Sequence, residues 1–195
     1  MAGADDGAQV AEWVQAARDG DRAAWDALVG RHVGLVWAVA RSFRLSDADA
    51  GDVVATTWLR LVEHLDRLRE PERVGAWLAT TARREALGVL RRRTRATPTD
   101  DVLLLDGEDV AQAPAGERLE TDEEHAALWR ALDGLSDACR RLLRVLAADP
   151  PPSYAEVSAA LDMPVGSIGP TRGRCLDRLR RLARSEGIRS EVGDS

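Results

Sequence analysis

The chain has 195 residues, a hydrophobic content of 45% and a formal net charge of -6. This length suits one ordinary domain or two small ones with real cores. The longest apolar runs are too short to span a bilayer, and the acidic start lacks the basic and apolar stretches of a secretory signal. We therefore expect a cytoplasmic protein with no membrane insertion.

The charge is distributed unevenly along the chain, and all 27 basic residues are arginine. Residues 1–30 sum to -4, 31–95 to +5, 96–125 to -9 and 126–195 to +2. Two basic blocks therefore flank one acidic segment, and the negative total does not argue against nucleic-acid binding.

The N-terminal half of the chain, up to about residue 95, has the apolar spacing of helices, at intervals of three and four residues. After a flexible start over residues 1–9, the pattern predicts a short helix from Val10 to Arg18. Asp21 is the expected N-cap of a second helix and Ser46 opens a third. Pro71 begins a fourth, which runs to about Arg93. The apolar faces of the second and third helices contain Trp25, Leu28, His32, Val36, Val39 and Phe43, and then Val54, Trp58, Leu61 and Leu65. We place His32 at the edge of its face.

The acidic segment, residues 96–124, changes the character of the chain. It holds ten acidic residues and one arginine, with Leu103, Leu104 and Leu105 as its only apolar island. Such a composition buries too little surface to offset its ordering entropy, which predicts a flexible linker. The domain boundary is expected there.

Helical patterns resume from Ala126, and Ser136 is the expected N-cap of a helix through Leu146. Ser153 begins an S/T-x-x-E capping box and a short helix to Leu161. After a turn that contains glycine, we expect Ser167 to cap a last helix to about Arg184, with a flexible tail over 185–195. This places Pro170 in the first turn of the last helix, where proline is tolerated.

The last two helices have the pattern of a helix-turn-helix, with a basic second helix. Arg174, Arg178 and Arg181 follow at i, i+4 and i+7, opposite an apolar face that includes Ile168 and Cys175. Arginines on such a helix can bind guanine edges or phosphates in the major groove. An ordinary core helix with a solvated arginine face is the alternative interpretation of the stripe.

Catalytic and metal-binding motifs are not found in the sequence. The three histidines are dispersed and no phosphate-binding glycine loop is seen. Cys139 and Cys175 lie far apart with no CxxC, so neither a disulfide scaffold nor a zinc site is expected. Cys175 is interpreted as a small core residue. We expect no enzyme activity and no cofactor.

The C-terminal half resembles the promoter-reading domain of the extracytoplasmic-function sigma factors of bacterial RNA polymerase. The resemblance lies in residues 153–168, SYAEVSAALDMPVGSI, and in residues 135–143, LSDACRRLL. It implies that residues 125–184 form a region 4 helix-turn-helix domain that reads the -35 element. Gly169-Pro170-Thr171 departs from the family pattern, which shifts the expected contacts along the helix. The candidate -35 contacts are Ser167, Thr171, Arg172, Arg174, Arg178 and Arg181.

The N-terminal half, residues 10–95, resembles region 2 of the same family. Residues 47–61, DADAGDVVATTWLRL, look like the segment that docks on the polymerase clamp helices, although the family usually has Gln-Glu at Ala55-Thr56. The implied polymerase-binding residues are Asp49, Asp52, Thr56, Leu59, Arg60 and Glu63.

Residues 76–93, AWLATTARREALGVLRRR, look like the helix that engages the -10 element, and the preceding loop, LREPERV, is where the family reads a flipped base. Arg84 and Gly88 stand where the family often has Asn and Asp. Trp77 is expected to anchor the helix junction more than to stack on a base. The implied -10 contacts are Arg69, Arg73, Trp77, Arg83, Arg84, Leu87 and Arg91.

The resemblance implies a non-enzymatic sigma factor of two small helical domains joined by the acidic linker. Its partners would be core RNA polymerase, promoter DNA and, in some members of the family, an anti-sigma factor. A stand-alone helix-turn-helix regulator with a helical sensor domain is the alternative. A helical scaffold that binds only proteins is the third class considered.

Overall fold

The computed structural model describes residues 2–96 and 119–187. Within these ranges the chain forms α-helices and two short 3-10 turns, with no strand, so the predicted all-α fold is confirmed. The helices are α1 (Ala2–Arg18), α2 (Arg22–Arg41), α3 (Asp47–His64), α4 (Val74–Ala96), α5 (Leu119–Asp133), α6 (Asp137–Leu146), α7 (Tyr154–Leu161) and α8 (Val165–Ser185).

The helices α1 to α4 form an N-terminal bundle whose starts follow from local sequence. The Asp21 side chain accepts from the backbone N–H groups of Ala23 and Ala24, and Ser46 accepts from that of Asp49. Both predicted N-caps are confirmed, and each satisfies N–H groups that lack an intrahelical partner.

The bundle core is built from the predicted apolar faces. Leu28 and Val36 of α2, Leu61 of α3 and Leu78 of α4 are almost fully buried. Trp25 and Trp58 pack on this core edge to face, with ring centroids 6.1 Å apart, an arrangement that aromatic pairs favour.

Helix α1 begins earlier than the sequence pattern predicts, so the flexible start expected over residues 1–9 is wrong for residues 2–9. Val10 and Val14 are buried in the bundle. Asp6 forms an ion pair with Arg31 of α2 at 2.9 Å. The ion pair holds the polar start of α1 against α2. A contact of this kind leaves no apolar period in the sequence, so the pattern did not predict it.

Two further boundaries differ from the prediction. Pro71 begins a 3-10 turn over Pro71–Arg73, and the fourth α-helix starts at Val74. Helix α5 begins at Leu119, inside the segment assigned to the linker. The rest of that segment, residues 97–118, and the tail from residue 188 lie outside the described residues.

The C-terminal half contains the predicted helix-turn-helix. In α7 the Ser153 side chain accepts from the Glu156 N–H and the Glu156 carboxylate accepts from the Ser153 N–H, which confirms the capping box. Helix α8, however, starts at Val165, and the Ser167 hydroxyl donates to the Pro164 carbonyl at 2.7 Å. Ser167 is therefore not the N-cap.

Pro170 consequently lies inside α8 rather than in its first turn. A proline there removes one N–H from the hydrogen-bond ladder, at the position that would bond to the carbonyl of Gly166. Gly166 is exposed, so this carbonyl can be solvated. The first turns of α8 are therefore held less tightly than its middle.

Cys139 of α6 and Cys175 of α8 form a disulfide, which corrects the prediction that none would be present. Cys175 is buried as predicted, but as half of a cross-link. Cysteine spacing did not indicate the bond because the two residues meet only once α6 and α8 are packed.

The two halves of the chain pack against each other. Helix α7 lies along α4, α6 contacts α2, and the buried residues of both halves join in one apolar cluster. Val157 and Ile168 from the C-terminal half belong to the same cluster as Leu35 and Ala82 from the bundle. The sequence predicted two domains and a linker, but not that the domains share a core.

Candidate nucleic-acid interface

The basic face of α8 is a continuous stripe, and it lies about a quarter-turn around the helix from the buried face that holds it in place. Ile168 and Cys175 are buried and fix the helix on the C-terminal core. At about 100° per residue, Ser167, Thr171, Arg174, Arg178 and Arg181 fall within a narrow sector of the helix surface. The Arg174 guanidinium donates to the Thr171 hydroxyl at 3.1 Å, as expected for neighbours one turn apart. The three arginines are exposed.

Arg172 is separated from this stripe. It is exposed, but it lies about 160° around α8 from Arg174. A rigid helix that presents Arg174 and Arg178 to a DNA groove therefore points Arg172 elsewhere. The structure brings together five of the six candidate -35 contacts.

A second stripe lies on α4. Trp77, Arg84 and Arg91 follow at intervals of seven and so share one face, with Leu87 beside them. Arg84 and Arg91 are exposed and Leu87 is half-buried. Trp77 packs against the core, its ring centroid 6.0 Å from that of His64. This placement agrees with an anchoring role for the indole.

The remaining -10 candidates lie on the flanks of this stripe. Arg69 and Arg73 are exposed in the turn before α4, and Arg73 donates to Glu70 at 3.0 Å. Arg83 lies about 100° from Arg84 and forms an ion pair at 2.7 Å with Asp162. Asp162 is the residue that ends α7, so a candidate -10 contact is bonded to the turn of the helix-turn-helix.

The candidate polymerase face occupies the outer side of α3. Leu59 is 58% exposed, and Asp52, Arg60 and Glu63 are exposed beside it. Thr56 and Asp49 are half-buried on the same sector, and the whole set faces away from the core residues of α3. The six candidates are therefore brought together on one surface.

Val62 extends this face and was missed by the sequence argument. It is 58% exposed and lines a shallow depression of about 310 Å³ with Trp25, Leu65 and Arg22. Large exposed aliphatic side chains on a helix are typical of a contact surface. The sequence did offer a sign of it: Val62 is an apolar residue three positions after Leu59, and it does not belong to the predicted core face of this helix.

A buried polar cluster joins the two halves of the chain. His32 of α2 is 2% exposed, against the predicted edge position, and its Nδ1 donates to the Leu28 carbonyl at 2.9 Å. The His32 Nε2 lies 3.7 Å from Oε1 of Glu156 in α7. Glu156 is itself buried and its Oε2 accepts from the Ser153 N–H.

Burial governs the protonation of this cluster. Loss of hydration lowers the pKa of His32, and the nearby Glu156 carboxylate only partly opposes this. The Arg31 guanidinium, through its hydrogen bond, lowers the pKa of Asp6 at the edge of the same region. We therefore take His32 as neutral at pH 7, where it fills the interface without a buried positive charge.

Neither a metal site nor a membrane-spanning helix is seen in the described ranges, 2–96 and 119–187. No group of three or more histidine, cysteine, aspartate or glutamate side chains is arranged there to hold a metal ion. None of the helices described is long and apolar enough to cross a bilayer.

Comparison with known proteins identifies one region of the chain and relatives of its fold. Residues 28–96 match the family model for sigma-70 region 2, and no curated protein matches the chain. The fold is similar to CnrH, solved in complex with the cytosolic domain of CnrY, with a TM-score of 0.59 and 22% identity over 91% of this chain and 98% of that one. It is also similar to the sigma factor RpoE, solved with the anti-sigma factor NepR from Bartonella quintana, with a TM-score of 0.58 and 23% identity over 78% of this chain and 92% of that one.

Residues 28–96 are therefore similar to a sigma-70 region 2, and the chain as a whole shares its fold with a solved sigma factor. The resemblance of the N-terminal half to region 2 of a sigma factor is confirmed over residues 28–96. The match covers α3 and α4, the helices that carry the candidate polymerase and -10 residues.

Proposed function

We propose that the chain binds core RNA polymerase and selects promoters with two reading surfaces. The N-terminal domain, about residues 10–95, would bind polymerase and the -10 element, and the C-terminal domain, about residues 125–184, the -35 element. The observation that carries this proposal is the sigma-70 region 2 match over residues 28–96, with an arginine-faced helix-turn-helix in the same chain. The chain acts by binding and has no catalytic step of its own, in the cytoplasm where polymerase works.

For the -35 element, α8 enters the major groove with its arginine stripe. Arg174 and Arg178 are the central side chains and can donate in pairs to guanine or grip phosphates. Thr171 and Ser167 lie toward the helix start and can donate to phosphate. Arg172, on another side of α8, serves at most as a contact to the backbone of the flanking DNA.

For the -10 element, the stripe on α4 offers cations and an apolar side chain to melted DNA. Arg84 and Arg91 neutralise phosphates, and Leu87 between them can contact an unstacked base. Arg69 and Arg73 stand at the loop end of the stripe, where a flipped base would be held. Trp77 supports the helix start.

For polymerase, the face of α3 combines charge with apolar area. Leu59 and Val62 supply the area that a helical partner can bury, and Asp52 and Glu63 supply charges at its border. Asp49 forms an ion pair with Arg93 of α4 and a hydrogen bond with Ser46. This pair fixes α3 on α4, so the polymerase and -10 surfaces keep a set spacing.

An anti-sigma partner is part of the proposal. RpoE, which has the same fold, was solved with the anti-sigma factor NepR. The exposed apolar residues on α3 give such a regulator a surface that polymerase also needs. A protein that covers Leu59 and Val62 would therefore compete with polymerase.

Run-off transcription with purified core polymerase tests the function. Addition of the chain should give promoter-specific transcripts, and Arg174→Glu/Arg178→Glu should abolish those that depend on the -35 element. Arg130→Glu/Arg180→Glu is the matched control, since it changes the net charge equally on the same domain but away from the stripe. Duplex binding without association with core polymerase would instead support a stand-alone regulator. Equal activity of both double variants would remove the arginine stripe from the site.

A further inference from the structure

Helix α1 lies along the segment that joins α3 to α4. This segment, Leu65–Arg73, contains the two 3-10 turns, and we define it as the α3–α4 connection. Helix α1 contacts both turns as well as α2. Its Val10 and Val14 side chains are buried in the bundle core, which fixes the helix in this position. The connection is therefore backed along its length by a helix that is itself anchored.

Arg18, the last residue of α1, binds the connection through two backbone carbonyls. Its Nε donates to the Leu65 carbonyl at 3.0 Å and its Nη2 donates to the Leu68 carbonyl at 2.6 Å. These two nitrogens form one edge of the planar guanidinium, whose N–H groups point in fixed directions. The third nitrogen, Nη1, donates to Oε1 of Gln15 at 3.2 Å. The guanidinium is thus held by its own helix while it holds the two carbonyls at a set spacing.

The two carbonyls control the path of the chain after α3. The Leu65 carbonyl also accepts from the Leu68 N–H at 3.3 Å, which closes the first 3-10 turn. The Leu68 carbonyl belongs to the peptide group that joins Leu68 to Arg69, so its bond to Arg18 sets the orientation of that peptide. The Leu68 side chain packs against the bundle core. Side chain and carbonyl together fix the backbone at the point where Arg69 begins.

This anchoring bears on the candidate -10 contacts at the two ends of the loop. Arg69 and Arg73 are exposed, and the Arg73 N–H donates to the Glu70 carbonyl at 3.0 Å. A flipped base has already lost its stacking in the duplex, so its binding site gains most when it is formed in advance. If the loop had to be ordered on binding, each freed residue would weaken the affinity at least about fivefold.

We propose that Arg18 is a positioning residue for the -10 element: its guanidinium holds the α3–α4 connection in the shape that takes up a base flipped out of the melted strand. This inference rests on the proposed sigma-factor function. Arg18 acts through the Leu65 and Leu68 carbonyls and not by contact with DNA. Helix α1 then serves promoter opening as well as the bundle core.

The first test measures binding of premelted promoter DNA by the complex of the chain with core polymerase, formed at saturating chain. The probe is a promoter that gives run-off transcripts, with a bubble over its -10 region and one abasic site moved along each strand in turn. With the wild-type chain, one position should weaken binding at least about tenfold, as expected for loss of a stacked base. With Arg18→Gln, the intact bubble should bind at least about fivefold more weakly. The abasic site should then weaken binding less than about threefold.

Arg67→Gln is the matched control, because it removes the same charge from an exposed position of the connection itself. It should keep the roughly tenfold effect of the abasic site. If Arg18 only stabilised the bundle, intact and abasic DNA would lose affinity by the same factor. An unchanged effect of the abasic site in Arg18→Gln would therefore overturn the proposal, and so would a wild-type scan with no sensitive position.

The second test measures hydrogen exchange in the free chain by mass spectrometry. Peptides that cover residues 65–73 should exchange at least about fivefold faster in Arg18→Gln than in Arg67→Gln, and peptides from α8 should exchange equally. Equal exchange over residues 65–73 would overturn the proposal. If the wild-type chain fails to initiate with core polymerase, the proposed function is contradicted and the promoter role of Arg18 is lost with it. The exchange comparison would still decide whether Arg18 holds the connection.

Arg18→Lys keeps the inference testable if Arg18→Gln does not fold, which helical circular dichroism would show. Lysine keeps the charge and the aliphatic stem but lacks the planar pair of donors that matches the two carbonyls. The abasic site should weaken binding by Arg18→Lys less than about threefold. A folded Arg18→Lys chain with the wild-type effect of the abasic site and wild-type exchange would overturn the proposal.

Discussion

Reduction of the Cys139–Cys175 disulfide should loosen the C-terminal half and leave the N-terminal bundle intact. The bond joins α6 to α8 across a sequence separation of 36 residues. In the chain-entropy model, closure of a loop of that length stabilises the fold by about 4 kcal/mol, because it restricts the unfolded chain. A loss of that size corresponds to a several hundred-fold increase in local opening, at 1.4 kcal/mol per factor of ten.

Hydrogen exchange followed by mass spectrometry measures this effect segment by segment. Peptides from α6 and α8 should exchange several hundred-fold faster after addition of a reductant, and peptides from α3, which packs within the N-terminal bundle, should not change. Cys139→Ala/Cys175→Ala is the control, because it should exchange at the fast rate with or without reductant. Exchange of α6 and α8 within twofold in oxidised and reduced protein would refute the reasoning.

Three further predictions concern single side chains. Pro170→Ala restores an N–H facing the Gly166 carbonyl and should raise the melting temperature, since a proline in a helix interior costs about 3 kcal/mol. Ser153→Ala removes the cap of α7 and should lower the free energy of unfolding by about 1 kcal/mol in urea titrations. Burial lowers the pKa of His32 below its ordinary value of 6.5. Below about pH 6.5 the unfolded chain therefore binds more protons than the folded chain. Stability should therefore be full above about pH 6.5 and fall below it, by at most about 1.4 kcal/mol per pH unit.

Each of these has a distinct contrary result. An unchanged or lower melting temperature for Pro170→Ala would show that Pro170 does not destabilise α8. If the Ser153→Ala chain is as stable as wild type, the hydrogen bond from the Glu156 N–H to the Ser153 hydroxyl does not stabilise α7. His32→Gln is the control for the pH series, and an equal loss of stability in both proteins between pH 7.5 and 5.5 would exclude His32 as the group responsible.

The parts of this protein that the sequence determines are those with short-range causes. The N-caps at Asp21 and Ser46, the capping box at Ser153 and the stripe through Arg174 and Arg178 depend on residues within a few turns of one another. Such patterns can be read directly from spacing. They were enough to predict an all-helical chain with a helix-turn-helix, and the family resemblance followed from the same segments.

Only the tertiary structure decides the features that join remote residues. The Cys139–Cys175 bond links positions whose spacing carries no motif, and the burial of His32 depends on Glu156 from the other half of the chain. The glycine at Gly34 is needed because the Asp149 carbonyl lies against it. A periodic pattern indicates which face of a helix is buried, but it does not identify the surface that buries it. The contact between the two halves therefore became visible only once α7 was seen packed on α4.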